Sequence, residues 1–282
     1  MAGNQRGIRV GINQGLFMYD FNYHRPTTLT EAAKILSSSE DAKILAGGMT
    51  LLPTMKLRLA QPSDLVDLSG IDELTGISDT GDSIQIGAMT THAAVAASDV
   101  VQSAIPALAA LAGMIGDAQV RNRGTIGGSV SNSDPAADYP AAVLGLGATI
   151  VTSEREIAAD DFFVAMFETA LGEQEILQAI RFPKPKRAAY RKFPNPASRY
   201  AVAGVFVAEA ADGLRVAVTG AGPNAFRASA LESALAANFA AESLDGLAVD
   251  ADEFNEDMHA SAEYRGHLVM VMAKRAVADA VG

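Results

Sequence analysis

Apolar and polar positions form short runs whose period changes along the chain. Tyr19–Tyr23 sets aromatic against polar side chains and predicts a short edge strand. His24-Arg25-Pro26 ends it, because proline disfavours helix in the residue before it. Thr28–Ser38 carries Ala32, Ala33, Ile35 and Leu36 at helical spacing, and Thr28 with Glu31 makes a capping box. Lys43–Ala46 is a short buried strand that runs into Gly47-Gly48. Leu51–Leu59 has a helical period that stops before Pro62, and Asp64–Asp67 is a third short strand. Residues 18–70 therefore read β-α-β-α-β.

Ser83–Ile86 alternates as a strand, His92–Ser98 predicts a short helix, and Ile105–Ile115 predicts an apolar helix with Pro106 tolerated near its start. Gly116–Tyr139 is a long polar, Gly-rich segment. Ala141–Leu146 reads as a short helix or turn, Ala148–Thr152 and Glu175–Phe182 as strands, and Phe162–Phe167 as a short helix between them. Pro183-Lys184-Pro185-Lys186 resembles a hinge. Arg187–Phe193, Ala201–Ala208 and Leu214–Gly220 read as three strands, and Ala228–Gly282 as helical apart from an acidic loop near Asp245–Asp257. Residues 1–17 are Gly- and Asn-rich without period, which predicts a mobile extension. The expected units are thus the extension 1–17, an α/β unit 18–70, a second unit 71–185 and a sheet-plus-helices unit 186–282.

Composition narrows the function. With 282 residues, 49% hydrophobic and 20% charged, the chain has the make-up of a globular protein of about two domains. It has no cysteine, which excludes disulfides, thiolate metal sites, iron–sulfur ligation and a cysteine nucleophile. None of the four histidines pairs with another one helical turn away, so no metal site is expected. The net charge of −11 and the lack of a basic stripe set nucleic acid aside. The longest apolar stretches, Ala104–Gly116 and Ala141–Thr152, fall short of the ~18 residues of a membrane span. No secretory signal is visible, so a cytoplasmic protein is expected.

Two glycine pairs are the strongest chemical signals: Ala46-Gly47-Gly48-Met49-Thr50 between a strand and a helix, and Thr125-Ile126-Gly127-Gly128-Ser129 in the polar segment. Successive N–H groups in such turns form anion nests, and a following helix N-terminus adds positive charge. Taken singly, each pair is ordinarily a turn. Together, with the hydroxyls of Thr50, Thr125 and Ser129, they suit the two phosphates of a dinucleotide. Asp134 is either a ribose acceptor or an Asx-turn residue, and His92, which as a base would lack a visible partner, reads as a helix cap or a surface residue. Arg121 and Arg123 read either as phosphate contacts or as solvated or paired with acidic surface, and Lys56 and Arg58 read the same way. Gly220-Ala221-Gly222 lacks the third glycine of G-x-G-x-x-G, so a Rossmann site is not expected.

The runs A-G-G-M-T-L-L-P-T-M-K-L-R-L-A (46–60) and R-N-R-G-T-I-G-G-S-V-S-N-S-D-P-A-A-D-Y-P-A-A (121–142) resemble the FAD-binding medium subunit of molybdenum hydroxylases. This is the xanthine dehydrogenase and carbon monoxide dehydrogenase family. The opening M-Y-D-F-N-Y-H-R-P-T-T-L and the late G-A-G-P-N-A-F-R-A are also similar to it. The resemblance implies an α+β chain: a two-subdomain FAD fold of the vanillyl-alcohol-oxidase (PCMH) type, then a three-stranded β-meander with a helical bundle. FAD would lie between the first two subdomains. Ile44, Leu45, Ala46, Gly47, Gly48, Met49, Thr50 and Leu51 would line its adenine and diphosphate side. Thr125, Ile126, Gly127, Gly128 and Ser129 would hold the other side of the diphosphate, with Asp138 on a polar portion of the cofactor and Ile115 packed on it. Leu177 and Lys192 fall near positions that approach the flavin, and Tyr190 would flank the isoalloxazine. Ser129 stands where many relatives carry Asn, and Met49 where His or a polar residue is common.

The family keeps its [2Fe–2S] clusters in a small partner subunit and its molybdopterin in a large one, often as a dimer of heterotrimers. By that resemblance the chain is an oxidoreductase component that passes electrons from the iron–sulfur subunit through FAD to NAD⁺, a quinone or O₂. No catalytic side chain and no metal ligand are then expected here. The alternatives are a standalone flavin oxidoreductase of the same fold and a non-catalytic assembly subunit.

Overall fold

The computed structural model describes residues 18–210 and 212–281, so the extension expected over 1–17 lies outside the described residues. The architecture is α+β. A three-stranded parallel sheet comes first, in the order β1 (Asn22–His24), β3 (Asp64–Asp67), β2 (Ala42–Leu45). Parallel neighbours need crossovers, supplied by α1 (Leu29–Ser37) and α2 (Leu51–Lys56). Thr28 caps α1 by accepting the Glu31 N–H at 3.2 Å, while the Glu31 carboxylate accepts the Thr27 N–H at 3.0 Å. Ala32 and Leu36 bury the inner face of α1 against Val66, Leu68 and Ile71.

The second sheet is antiparallel, in the order β4 (Ile77–Asp79), β5 (Ser83–Gly87), β10 (Leu177–Pro183), β6 (Thr149–Thr152), β7 (Glu156–Ala158). Helices α3 (His92–Ala97), α4 (Asp99–Ala104), α5 (Pro106–Gly113), α6 (Ala118–Arg123), α7 (Ile126–Asn132) and α8 (Tyr139–Gly145) fall between β5 and β6. α8 is apolar all round because every side faces protein, and all seven of its residues are buried; α5 is equally apolar but leaves Pro106, Ala110 and Gly113 exposed.

The third sheet is antiparallel: β11 (Arg187–Pro194), β12 (Ala201–Ala210), β13 (Gly213–Thr219), β14 (Phe226–Arg227). Its middle strands are buried on both faces. Phe206, Ala208 and Ala217 join the core of the second sheet, while Val205, Val207, Val216 and Val218 meet α9 (Ser229–Ala237) and α10 (Ala262–Val281). 

Several expectations are corrected. The first strand is displaced to Asn22–His24. The polar segment 116–139 holds α6 and α7. α6 shows no apolar stripe because it is solvent-facing, and α7 buries only Ile126 and Val130 one turn apart with Gly127, a pair too short to show a period. Phe162–Phe167 is not a helix; it runs into a hairpin of β8 (Phe163–Ala165) and β9 (Glu168–Thr169), turned by Phe167 at φ 57°. The predicted hinge at 183–186 is tied down: Lys184 N–H donates to Asp82 O and Lys186 N–H to Glu209 O. The meander has β14 as a fourth, two-residue strand, and the C-terminal helices lie on the sheet instead of forming a bundle, since their buried residues meet its valines.

Candidate functional site

The two glycine pairs, about eighty residues apart in sequence, meet in space. A β-carbon on Gly47 would lie 2.7 Å from Gly124 Cα, and one on Gly128 would lie 3.2 Å from Ala46 Cβ. Only glycine lets these backbones approach so closely. The pairs use their donors differently. Gly48 turns the first loop at φ 72°, and the N–H groups of Gly48, Met49 and Thr50 find no acceptor among the described residues. In the second loop the N–H groups are engaged: Ile126 with Thr90 O, Gly127 with Ala88 O, and Gly128 with the Thr125 hydroxyl. Its glycines therefore serve contact, and a β-carbon on Gly127 would meet Ala88 Cβ at 2.5 Å.

Between the loops lies a cavity of about 680 Å³, within the size range of small-molecule sites. Ile44, Ala46, Gly47, Gly48, Met49, Thr50 and Leu51 line it from the first loop, and Thr125, Gly127, Gly128 and Ser129 from the second. Ile115, Asp138 and Leu177 complete the expected residues on its wall. Leu45, Ile126, Tyr190 and Lys192 do not line it. Leu45 and Ile126 are buried in the packing behind the loops. Tyr190 and Lys192 stand behind Asp138: Tyr190 Oη donates to its carboxylate at 2.5 Å, and Lys192 Nζ lies 2.9 Å from it. Burial pushes the Asp138 carboxyl up, against the pull of Lys192 and Tyr190.

Lys192 also donates to Met114 O at 3.1 Å and Arg199 O at 2.8 Å. Arg121 donates to Ile115 O and Gly116 O, at 3.0 and 2.8 Å, and Arg199 donates to Gly116 O at 3.2 Å. Three cations thus hold the carbonyls of the turn that carries Ile115. Arg121, expected to be solvated or paired with acid, works on backbone oxygens instead.

His92 corrects its expectation too. It is buried, and the cap of α3 is Thr91, whose hydroxyl accepts the Ala94 N–H at 3.2 Å. The imidazole supports Gly124 from below, where a β-carbon would come within 2.6 Å of Nε2. Burial, then the charge of Arg121, push it down to about 4, so the ring is neutral at neutral pH. His92 Nδ1 and Tyr139 Oη have no partner among the described residues, and the two rings are 5.3 Å apart. Asp134 Oδ1 accepts the Ala136 N–H at 2.9 Å, the Asx turn, and its residue also lines the cavity. Arg199 and Tyr200 on the wall had no motif to announce them. 

The donor set fits FAD. Free N–H groups at the first loop and the hydroxyl residues Thr50 and Ser129 suit a diphosphate, while Asp134 and Asp138 offer acceptors for hydroxyl and ring N–H groups. Apolar Ile115 and Leu177 offer flat packing surface. Among the described residues no group of acidic or histidine side chains is placed to hold a metal ion, and no helix is long and apolar enough to cross a membrane.

Comparison with known proteins agrees with this geometry. Residues 19–185 match the family model described as the FAD-binding domain in molybdopterin dehydrogenase. The carbon monoxide dehydrogenase medium chain of Hydrogenophaga pseudoflava is 37% identical over 274 residues, covering 91% of this chain and 96% of the relative. The nicotine 6-hydroxylase medium subunit of Paenarthrobacter nicotinovorans is 35% identical over 272 residues, covering 92% and 96%. Among solved structures, reconstituted CO dehydrogenase from Oligotropha carboxidovorans superposes with a TM-score of 0.87 at 34% identity, covering 94% of this chain and 98% of that one.

Proposed function

The chain belongs to the FAD-binding family of the molybdopterin dehydrogenases, and from that premise we propose that it is the electron-transfer medium subunit of a three-subunit enzyme. It binds FAD and is an oxidoreductase component. In the proposed assembly a small subunit with [2Fe–2S] clusters delivers electrons and a large molybdopterin subunit oxidises the organic substrate. The bound flavin supplies the redox chemistry, and an external acceptor (NAD⁺, a quinone or O₂) takes the electrons away. A dimer of heterotrimers in the cytoplasm is the arrangement we infer.

The observation that carries the reading is the meeting of two distant glycine loops over a cavity with free N–H donors. In this reading the first loop grips the diphosphate with backbone donors, Ser129 and Thr125 add hydroxyls, and the second loop supplies closeness. Ile115 and Leu177 pack on the ring system. Asp138 accepts a hydrogen bond from the cofactor, held in place by Tyr190 and Lys192. We place the functional boundaries near residues 70 and 185, so that the cofactor spans the first two units and the third closes one side.

The test is a visible absorption spectrum of the purified protein, followed by heat release and identification of the nucleotide. An oxidised-flavin spectrum with released FAD is expected. A folded, colourless chain that takes up no added FAD would turn the reading toward an assembly subunit. Co-purification of two further chains is expected, and a lone flavin-loaded chain with its own turnover would favour a standalone flavoenzyme.

A further inference from the structure

A second, smaller cavity of about 220 Å³ lies beside the first. Asp134, Ser198 and Tyr200 line both, so they form the partition. The small cavity is also lined by Asp257 and His259, both exposed, and so reaches solvent. Its inner wall is the buried Arg265, fixed by Val202 O at 2.7 Å, Gly220 O at 2.8 Å and the Asp257 carboxylate at 2.8 Å.

Asp134 is held firmly in this partition. Pro135 O accepts from Gly220 N–H and from the Thr219 hydroxyl, and Ala136 O accepts the Ala201 N–H. Only Oδ1 of Asp134 is engaged, with the Ala136 N–H; Oδ2 has no partner among the described residues. Burial raises its carboxyl above the usual range, with the Ala136 N–H opposing. The charged and titratable groups around it are Tyr200 and Arg199 on the neighbouring turn, Asp138 on the cavity wall with Lys192 and Tyr190 behind it, and Asp257, His259 and Arg265 across the small cavity.

We infer that Asp134 is the proton-entry group of the flavin cavity, passing protons between the solvent-connected small cavity and the bound cofactor. The inference rests on the FAD reading above. Full reduction of the bound flavin takes two electrons, supplied by a reduced iron–sulfur partner, and two protons. The Asp134 carboxylate takes a proton from water in the small cavity and passes it inward. When the electrons leave, a proton that the acceptor does not itself take up, one in the case of hydride transfer to NAD⁺, returns by the same group.

The test uses the purified flavin-loaded protein, photoreduced by a light flash with a tertiary amine as electron donor, at the same concentration in every sample, in the presence of a pH-indicator dye. Asp134→Asn keeps an oxygen for the Ala136 N–H, and Asp134→Ser keeps the turn by a hydroxyl. Both variants, compared with the wild type at equal FAD occupancy, are expected to take up protons about tenfold more slowly or worse, with formate restoring the rate. Uptake at the wild-type rate in both variants, or a slowed rate that no small acid restores, would overturn the inference alone. A wild-type protein that holds no flavin would remove the FAD reading and the inference together.

Discussion

A β-carbon at Gly47 would lie 2.7 Å from Gly124 Cα, a backbone atom with no side-chain freedom to yield. Gly47→Ala must therefore part the two loops, and we expect FAD affinity to fall at least tenfold while the far helices stay folded; fluorescence titration with FAD reads this. Lys192 is a different case. It neutralises the fully buried Asp138, so Lys192→Met strands that charge and is expected to cost about 3 kcal/mol in urea unfolding. The glycines could be read in sequence because their lack of a β-carbon is itself the signal. His92 and Arg121 could not, because their roles depend on neighbours from other segments, Gly124 for one and the Ile115 and Gly116 carbonyls for the other.

Elements with self-contained signals matched their reading. Thr28 and Glu31 announced α1, and Thr28→Ala is expected to lower stability by about 1 kcal/mol in thermal or urea unfolding. α6 and α7 stayed invisible because hydrophobic period is a record of burial by large side chains. α6 buries none of its residues, and α7 buries a single apolar pair, Ile126 and Val130, beside Gly127, which is too short to show a period. The hairpin β8–β9 carries apolar side chains on an exposed turn, Val164, Met166 and Phe167, which imitates a helical stripe. The link between β6 and β10 depends on charge. Glu175 accepts from Thr152 at 2.5 Å, from Arg155 and from Gly172 N–H. Burial pushes its carboxyl up, but these three partners outweigh it and bring it down to about 2, from an ordinary 4.5. A lowered value means the stabilisation is complete above about 4.5 and disappears as pH falls toward 2. Glu175→Gln should flatten the acid limb of the stability curve across that window, measured by urea unfolding at stepped pH.

At the scale of the molecule, β12 gives one face to each of two cores, which ties the flavin-side helices to the C-terminal pair. Phe206, fully buried, presses on Gly145 of α8 and stacks near Tyr190, the partner of Asp138. Phe206→Ala is expected to cost about 3–5 kcal/mol and to loosen FAD retention together with stability, whereas an equal loss at Leu268 should leave retention at a given folded fraction unchanged. Parallel thermal melts with and without added FAD separate the two. The succession of most strands was visible in the changing period of the chain, but the double burial of β12 was not, since a continuous apolar run has the same look for one core or two. The turn of carbonyls around Ile115 also bears on how the protein is made. On the ribosome both glycine loops are complete once Ser129 has emerged, but Lys192 and Arg199, which fix the Ile115 turn, are translated some sixty to seventy residues later. In the proposed reading, where Ile115 packs on the cofactor, a finished grip exists only when more than two thirds of the chain has been synthesised, and loading is expected late in translation or on the released chain.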